Sequence, residues 1–224
     1  MTHSAMYNFS PTDHAVVAEV QRLGISEVRH FTTNRGLLGV LRGQALLSRS
    51  YLAQDDVVDL VTINNCFRRW DTDWFGYVNL SIQRINGWLY DISSGRWHND
   101  EALWWVVLGF DPIVLAHLGV IFVTTNNGFS VACRATGVSG LRALWADEVR
   151  SARGSAIYGL NRNDRPWDQP TDPQAEALYP QSLSTRWLRT VYVGDAELVD
   201  SVRGYVAATS HPEVDVVFYP EAFS

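Results

Sequence analysis

The sequence predicts an α+β fold, a central mixed or antiparallel sheet flanked by helices. Three observations carry that prediction. Segments with helical and with strand-like periodicity alternate irregularly, without the strict strand–helix–strand rhythm of a parallel sheet. Residues 103–110 are apolar throughout, the pattern of a strand buried on both faces. The composition, 46% hydrophobic and 12% aromatic over 224 residues, excludes a disordered chain and fills the core of one domain.

Taken in order, residues 1–10 are polar and aperiodic. A helix follows, capped by Ser10 or Thr12, with Pro11 in its first turn, a stripe of Val16, Val20 and Leu23, and Gly24 as its end. Residues 25–32 read as a strand ending in His30-Phe31-Thr32. A second helix is predicted over 36–42, with Leu37, Leu38 and Leu41 inward and Gly43 as terminator. Residues 64–74 form a polar, aromatic loop containing Arg68, Arg69 and Asp71, and residues 77–82 alternate as a strand. After the buried strand, Asp111 caps a short helix that has Pro112 in its first turn. Residues 119–124 form a strand that stops at the Asn126-Asn127-Gly128 turn. Residues 134–169 are Arg-rich, with a helix expected near 141–149 and then a polar loop. Pro170-Thr171-Asp172-Pro173 should be a stiff extended turn leading into Glu176. A strand over 189–193, a helix from Asp195 and a strand over 214–219 complete the chain. The expected division is an extension and helix over 1–24 and a single domain over 25–224.

Charge and composition limit the function classes. No apolar run reaches the roughly 18 residues that span a bilayer, and no charged-then-apolar leader opens the chain, so no membrane partner is expected. Cys66 and Cys133 lie far apart without a CxxC, which reads as reduced thiols of a cytoplasmic protein. The net charge of −6 argues against a generally nucleic-acid-binding surface. The distribution is uneven, however. Residues 134–165 hold six Arg against Asp147, Glu148 and Asp164, and all 18 basic residues are Arg, the side chain suited to forked phosphate contacts.

The sequence lacks the glycine-rich phosphate loops, the GxSxG elbow and the HExxH metal motif, and its histidines are scattered, so no metal site is expected. His30 stands at the end of a strand, a frequent ligand position in open sheets, although a core histidine bonded to a carbonyl fits the same place. Arg68 and Arg69 have Asp71 beside them and are equally compatible with a salt-bridged surface loop. The commoner fate of a residue like Glu176 is an exposed strand edge.

These residues carry a resemblance. His30-Phe31-Thr32 followed by Gln44-Ala45-Leu46-Leu47-Ser48-Arg49 resembles the opening of the DarT family, toxins that ADP-ribosylate DNA. Arg69-Trp70-Asp71, Leu80-Ser81-Ile82 with Asn86 and Tyr90, and Trp105 through Asn126 are similar to further segments of that family. The match at 170–178, Pro-Thr-Asp-Pro-Gln-Ala-Glu-Ala-Leu, is the most specific.

The resemblance implies an ADP-ribosyltransferase-like fold and NAD as co-substrate. It implies Glu176 and Arg69 as catalytic residues, and His30, Phe31, Thr32 and Arg69 at the NAD site. The acceptor would be a base in single-stranded DNA, guanine favoured over thymine by the branch that the motifs resemble. A separate macrodomain antitoxin would be the partner of such a toxin. Transfer to RNA or protein, or an inactive nucleic-acid-binding module, are the alternative readings. An electron-rich carboxylate at the ribose would stabilise the charge that develops as the nicotinamide bond breaks. Arg153, Arg162, Arg165 and Trp167 precede the Glu176 stretch and form the expected DNA-binding surface, pairing Arg with an aromatic ring.

Overall fold

The computed structural model describes residues 11–52, 72–96 and 102–224. Helix α1 (His14–Arg22) begins at Asp13, whose carboxylate accepts from the backbone N–H of Ala15 and Val16. Asp13 therefore displaces the expected cap, because only it places an oxygen over the first free amides. Val16, Val20 and Leu23 are buried in the same apolar core as the sheet, and Gly24, at φ +62°, ends the helix. Strand β1 (Val28–Thr33) runs directly into α2 (Asn34–Gly43), with Thr33 capping it through Oγ1 to the Gly36 N–H. Leu37 and Leu41 point inward as expected, but Leu38 is 41% exposed. The helix keeps Gly43 and stops at Gln44, which takes the left-handed conformation at φ 50°. The predicted glycine terminator is thus one residue early.

The remaining elements are β2 (Ala45–Leu47), β3 (Tyr77–Ile82), α3 (Gly87–Arg96), β4 (Trp105–Phe110), β5 (Ile121–Val123), β6 (Arg134–Thr136), α4 (Gly137–Ala143), β7 (Glu148–Arg153), β8 (Ala156–Asn161), β9 (Glu176–Pro180), β10 (Ser182–Ser184), β11 (Leu188–Val193), α5 (Leu198–Ala208) and β12 (Asp215–Phe218). Among the described residues, none of these helices is long and apolar enough to cross a membrane.

Eight strands form one sheet in the order β12-β11-β4-β1-β3-β9-β5-β6. Every neighbouring pair is antiparallel except β11 and β12, so the sheet is mixed. β4 lies between β1 and β11 with all six residues buried, which explains its unbroken apolar run. Asp111 caps the 3-10 turn that follows, as its sequence implies.

The helix expected near 141–149 is shorter and earlier than predicted. α4 ends at Ala143, and Val149 belongs to β7, which pairs with β8 as a hairpin outside the main sheet. The burial of Val149 and Ser151 between exposed Glu148 and Arg150 is a strand alternation that the charged residues obscure. The polar loop expected after that helix therefore contains β8.

Within the sheet, β1 and β3 diverge along their length. β1 pairs with β4 over six positions, but with β3 only at Val28–Ile82 and Arg29–Ser81. Beyond Arg29 the two strands part.

Candidate active site

Glu176 is the first residue of β9, an interior strand on which it stands opposite Ser81 of β3 and Val123 of β5. It is 3% exposed, so the strand-edge alternative is overturned by two flanking strands. The preceding stretch is anchored rather than simply extended. Thr171 donates its N–H to the Leu144 carbonyl and its hydroxyl to the Ala146 carbonyl, each at 2.8 Å. Asp172 accepts from Gln174 N–H, and its carbonyl accepts from Ala175 N–H. With Thr171 0% and Asp172 1% exposed, the turn is fixed against the end of α4, and it delivers Glu176 at a set height in the sheet.

Two donors converge on Oε2 of Glu176. Asn79 of β3 donates from Nδ2 at 2.9 Å, and the backbone N–H of Asn127 donates at 3.3 Å. Hydrogen bonds donated to an ionised carboxylate are shorter and stronger than those between neutral groups. Asn127 is presented by a tight turn in which Asn126 accepts from Gly128 N–H through its side chain and from Phe129 N–H through its carbonyl. Arg134, at the head of β6, grips Asn127 from outside. Its Nε reaches Asn127 Oδ1 at 2.8 Å and its Nη2 reaches the Asn127 carbonyl at 2.5 Å, with the guanidinium 5.1 Å from the Trp74 ring centre.

On the other side, His30 spans the parting of β1 and β3. Its Nδ1 lies 2.9 Å from the Asn79 carbonyl. A carbonyl only accepts, so Nδ1 carries the proton. His30, Asn79 and Glu176 are thus joined in series across three strands. Strand alternation sends Phe31 to the sheet face that Asn79 and Glu176 share, where it meets Tyr90 edge-on at 5.6 Å and Trp105 at 5.8 Å. Thr32 lies on the opposite face. Its Oγ1 would be 2.2 Å from a Cβ at Gly36, so glycine there admits the first turn of α2 against it.

Arg68, Arg69 and Asp71 lie outside the described residues. The expected DNA-binding residues have separate placements. Arg153 ends β7 and is exposed. Arg162 is committed to backbone, donating to the carbonyls of Pro166 at 2.7 Å, Trp167 at 2.8 Å and Gln169. Burial pushes its guanidinium pKa down. Arg165 is half-buried in the turn that Arg162 holds. Trp167 is 68% exposed, its ring edge over Gly24 and its carbonyl accepting from Trp145 Nε1.

Sequence reasoning missed Asn79 and Asn127 as partners of Glu176, and Arg134 as the partner of Asn127. The available signal was Asn79, a polar residue in an otherwise apolar-leaning strand. A groove of about 540 Å³ lined by Arg189, Arg203 and His211 is remote from this cluster, beside α5 and β12 at the far edge of the sheet.

The split mixed sheet with a buried glutamate at the head of an interior strand defines a DarT-like α+β fold. A sequence model described as "DarT: ssDNA thymidine ADP-ribosyltransferase, DarT" matches residues 29–224, and the chain belongs to this family. Among solved structures, it is similar to Thermus sp. 2.9 DarT in complex with NAD+ (15% identity, TM-score 0.60, 89% of this chain and 98% of that one). It is also similar to the same protein in complex with ADP-ribosylated ssDNA (15% identity, TM-score 0.61, 90% and 97%). Thermosipho africanus DarTG in complex with ADP-ribose gives 13% identity and TM-score 0.58, with 88% of this chain aligned to 51% of that one. A search of curated proteins finds no match.

Proposed function

We propose that this chain transfers ADP-ribose from NAD to a base of single-stranded DNA and releases nicotinamide. The observation that carries the reading is the Glu176 carboxylate, buried, interior to the sheet and held by two N–H donors beside the parting of β1 and β3. Membership of the DarT family and the NAD+ and ssDNA complexes of its structural neighbours support it.

In this reading Glu176 faces the ribose and stabilises the positive charge that builds as the nicotinamide bond breaks. A carboxylate already held by fixed donors needs little rearrangement when that charge appears. Glu176 also accepts the proton that the acceptor nitrogen loses. Arg69 clamps the pyrophosphate or orients the acceptor base through its forked donors. Phe31 supplies an apolar wall for the NAD site, His30 lines it where β1 and β3 part, and Thr32 backs that lining from the other face of β1. Exposed Arg153 and Trp167 hold the strand by phosphate contact and stacking, Arg165 adds charge, and Arg162 keeps their turn in shape.

A base paired inside a duplex cannot enter such a site, so the substrate is single-stranded or flipped. Guanine is the proposed acceptor, on the resemblance of Arg69-Trp70-Asp71 and the 170–178 motif to that branch. The family description names thymidine. In the cell the enzyme would act as a cytoplasmic toxin, restrained by a separate macrodomain protein that removes the ADP-ribose.

The test is incubation with NAD and defined single-stranded oligonucleotides, followed by product mass. Addition of one ADP-ribose to guanine-containing strands supports the full proposal. Addition only to guanine-free, thymine-containing strands overturns the guanine assignment. No addition to any DNA, with addition to RNA or protein, moves the acceptor class. Absence of nicotinamide release with every acceptor refutes the enzyme.

A further inference from the structure

We propose that Arg134 is a positioning residue for Glu176, acting through Asn127. The inference rests on the role given to Glu176 above, and concerns a side chain that does not itself touch the carboxylate.

The geometry has three parts. Arg134 uses separate nitrogens for the two oxygens of a single residue, Nε for Asn127 Oδ1 and Nη2 for the Asn127 carbonyl. Its Nη1 takes a third oxygen, the Ala132 carbonyl at 3.1 Å, which ties the fork to its own strand. Asn127, 1% exposed, then directs its N–H at Oε2 of Glu176.

Holding both the side-chain and the main-chain oxygen fixes Asn127 at two points on either side of its Cα. The direction of its N–H follows from that constraint. An ammonium carries no planar fork and cannot reproduce it, so the device is specific to arginine. The Trp74 ring near the guanidinium limits its sideways movement.

The length of the bond matters. At 3.3 Å, Asn127 N–H to Oε2 is longer than the 2.9 Å contact from Asn79 on the same oxygen and stands at the far edge of hydrogen-bond range. A displacement of a few tenths of an ångström would remove it, and with it the contact that Glu176 receives from the β5 side. A brace that holds Asn127 in place is therefore a condition of the two-sided grip on the carboxylate.

A merely structural brace and a positioning residue make different predictions. The full chain is prepared with Arg134→Gln, Arg134→Lys, Asn127→Ala, and Arg134→Gln combined with Asn127→Ala. Amide hydrogen exchange at residue 127 is followed by NMR, alongside thermal midpoint, kcat, and KM for NAD. Arg134→Gln is expected to speed exchange at Asn127 about tenfold and to lower kcat about tenfold, with KM for NAD within about twofold. Arg134→Lys keeps the cation near Trp74 but should still lose most of the effect, and it carries the test if the Gln variant folds poorly. Because Asn127→Ala removes one of the two oxygens the fork holds, the double variant should be no worse than Arg134→Gln alone.

Unchanged exchange at Asn127 in both Arg134 variants would overturn the inference, as would losses that multiply in the double variant. The exchange measurement needs no turnover. A wild-type protein that transfers nothing to DNA would thus count against the proposed function, while residue 127 still decides the role of Arg134.

Discussion

Asn79 and Glu176 are 97 residues apart in sequence, yet Nδ2 of the first lies 2.9 Å from Oε2 of the second. The pairing is possible because β3 and β9 are hydrogen-bonded neighbours, with Asn79 opposite Leu178 and Ser81 opposite Glu176. Asn79 is also the link to β1, since its carbonyl accepts from His30 Nδ1. One residue thus ties the carboxylate, through its side chain, to the strand at which the sheet parts, through its backbone carbonyl, and substitution of the side chain removes only the first of these bonds.

Asn79→Ala removes a donor to a buried carboxylate. Hydrogen bonds to charged groups contribute about 1.5–3 kcal/mol, so a loss of roughly 10- to 100-fold in kcat/KM is expected. Asn79→Asp, which sets a second carboxylate against the first, should lose more than Asn79→Ala. Steady-state kinetics on both variants, with circular dichroism as a check on folding, tests the order.

Glu176→Gln keeps the shape of the side chain and removes its charge. Loss of a preorganised electrostatic group costs on the order of 10²–10³ in rate. The expected signature is a fall in kcat with NAD affinity retained, read by single-turnover kinetics and by calorimetric titration with NAD. Retention of full turnover would remove Glu176 from the chemistry.

Stability should fall in acid through two groups. Glu19 of α1 is bonded to Arg22 at 2.6 Å and to Arg142 of α4 at 3.0 Å, which holds its carboxyl at about 2 against an ordinary 4.5. Since the folded value is the lower one, this stabilisation is present above about pH 4.5 and is lost as the pH falls toward 2. Burial, with Arg186 nearby, pushes His117 below its ordinary 6.5. The unfolded chain therefore binds the proton more readily, and stability declines as the pH drops below that value. Thermal midpoints from pH 8 to pH 2 should show both phases. Glu19→Gln should be destabilised near neutrality and converge on the parent toward pH 2.

Arg162→Ala withdraws a donor from the carbonyls of Pro166, Trp167 and Gln169 and should loosen the turn that carries Trp167. Faster proteolytic cleavage within 162–169 is expected. Gly24→Ala acts on the same place from below, because its Cβ would stand 2.1 Å from the Trp167 ring at a backbone angle of φ +62°. If Trp167 stacks on a base, Trp167→Ala, Arg162→Ala and Gly24→Ala should each weaken binding of a single-stranded oligonucleotide in an anisotropy titration. Equal affinity in all three would remove this turn from the DNA surface.

Local signals carried several elements well. The apolar run of β4, the alternation of β3 and the Asp111-Pro112 start each reflect constraints within a few residues, and each element formed where its pattern lay. The β7–β8 hairpin was obscured because β7 turns its charged residues to solvent, while β8 is exposed along nearly its whole length and shows no alternation of buried and exposed positions. The end of α2 was misplaced by one residue because Gln44, not Gly43, adopts the left-handed turn.

By itself the sequence determined that Glu176 is the residue of interest, through an ordered set of short motifs, and that the fold is α+β. It could not show what holds that residue. Asn127 is 49 positions from Glu176 and Asn79 is 97, and which strand neighbours which is set by packing of the whole sheet rather than by any local preference. A hydrogen bond needs its partners placed to a few tenths of an ångström, and only the tertiary register of β3, β5 and β9 supplies that placement.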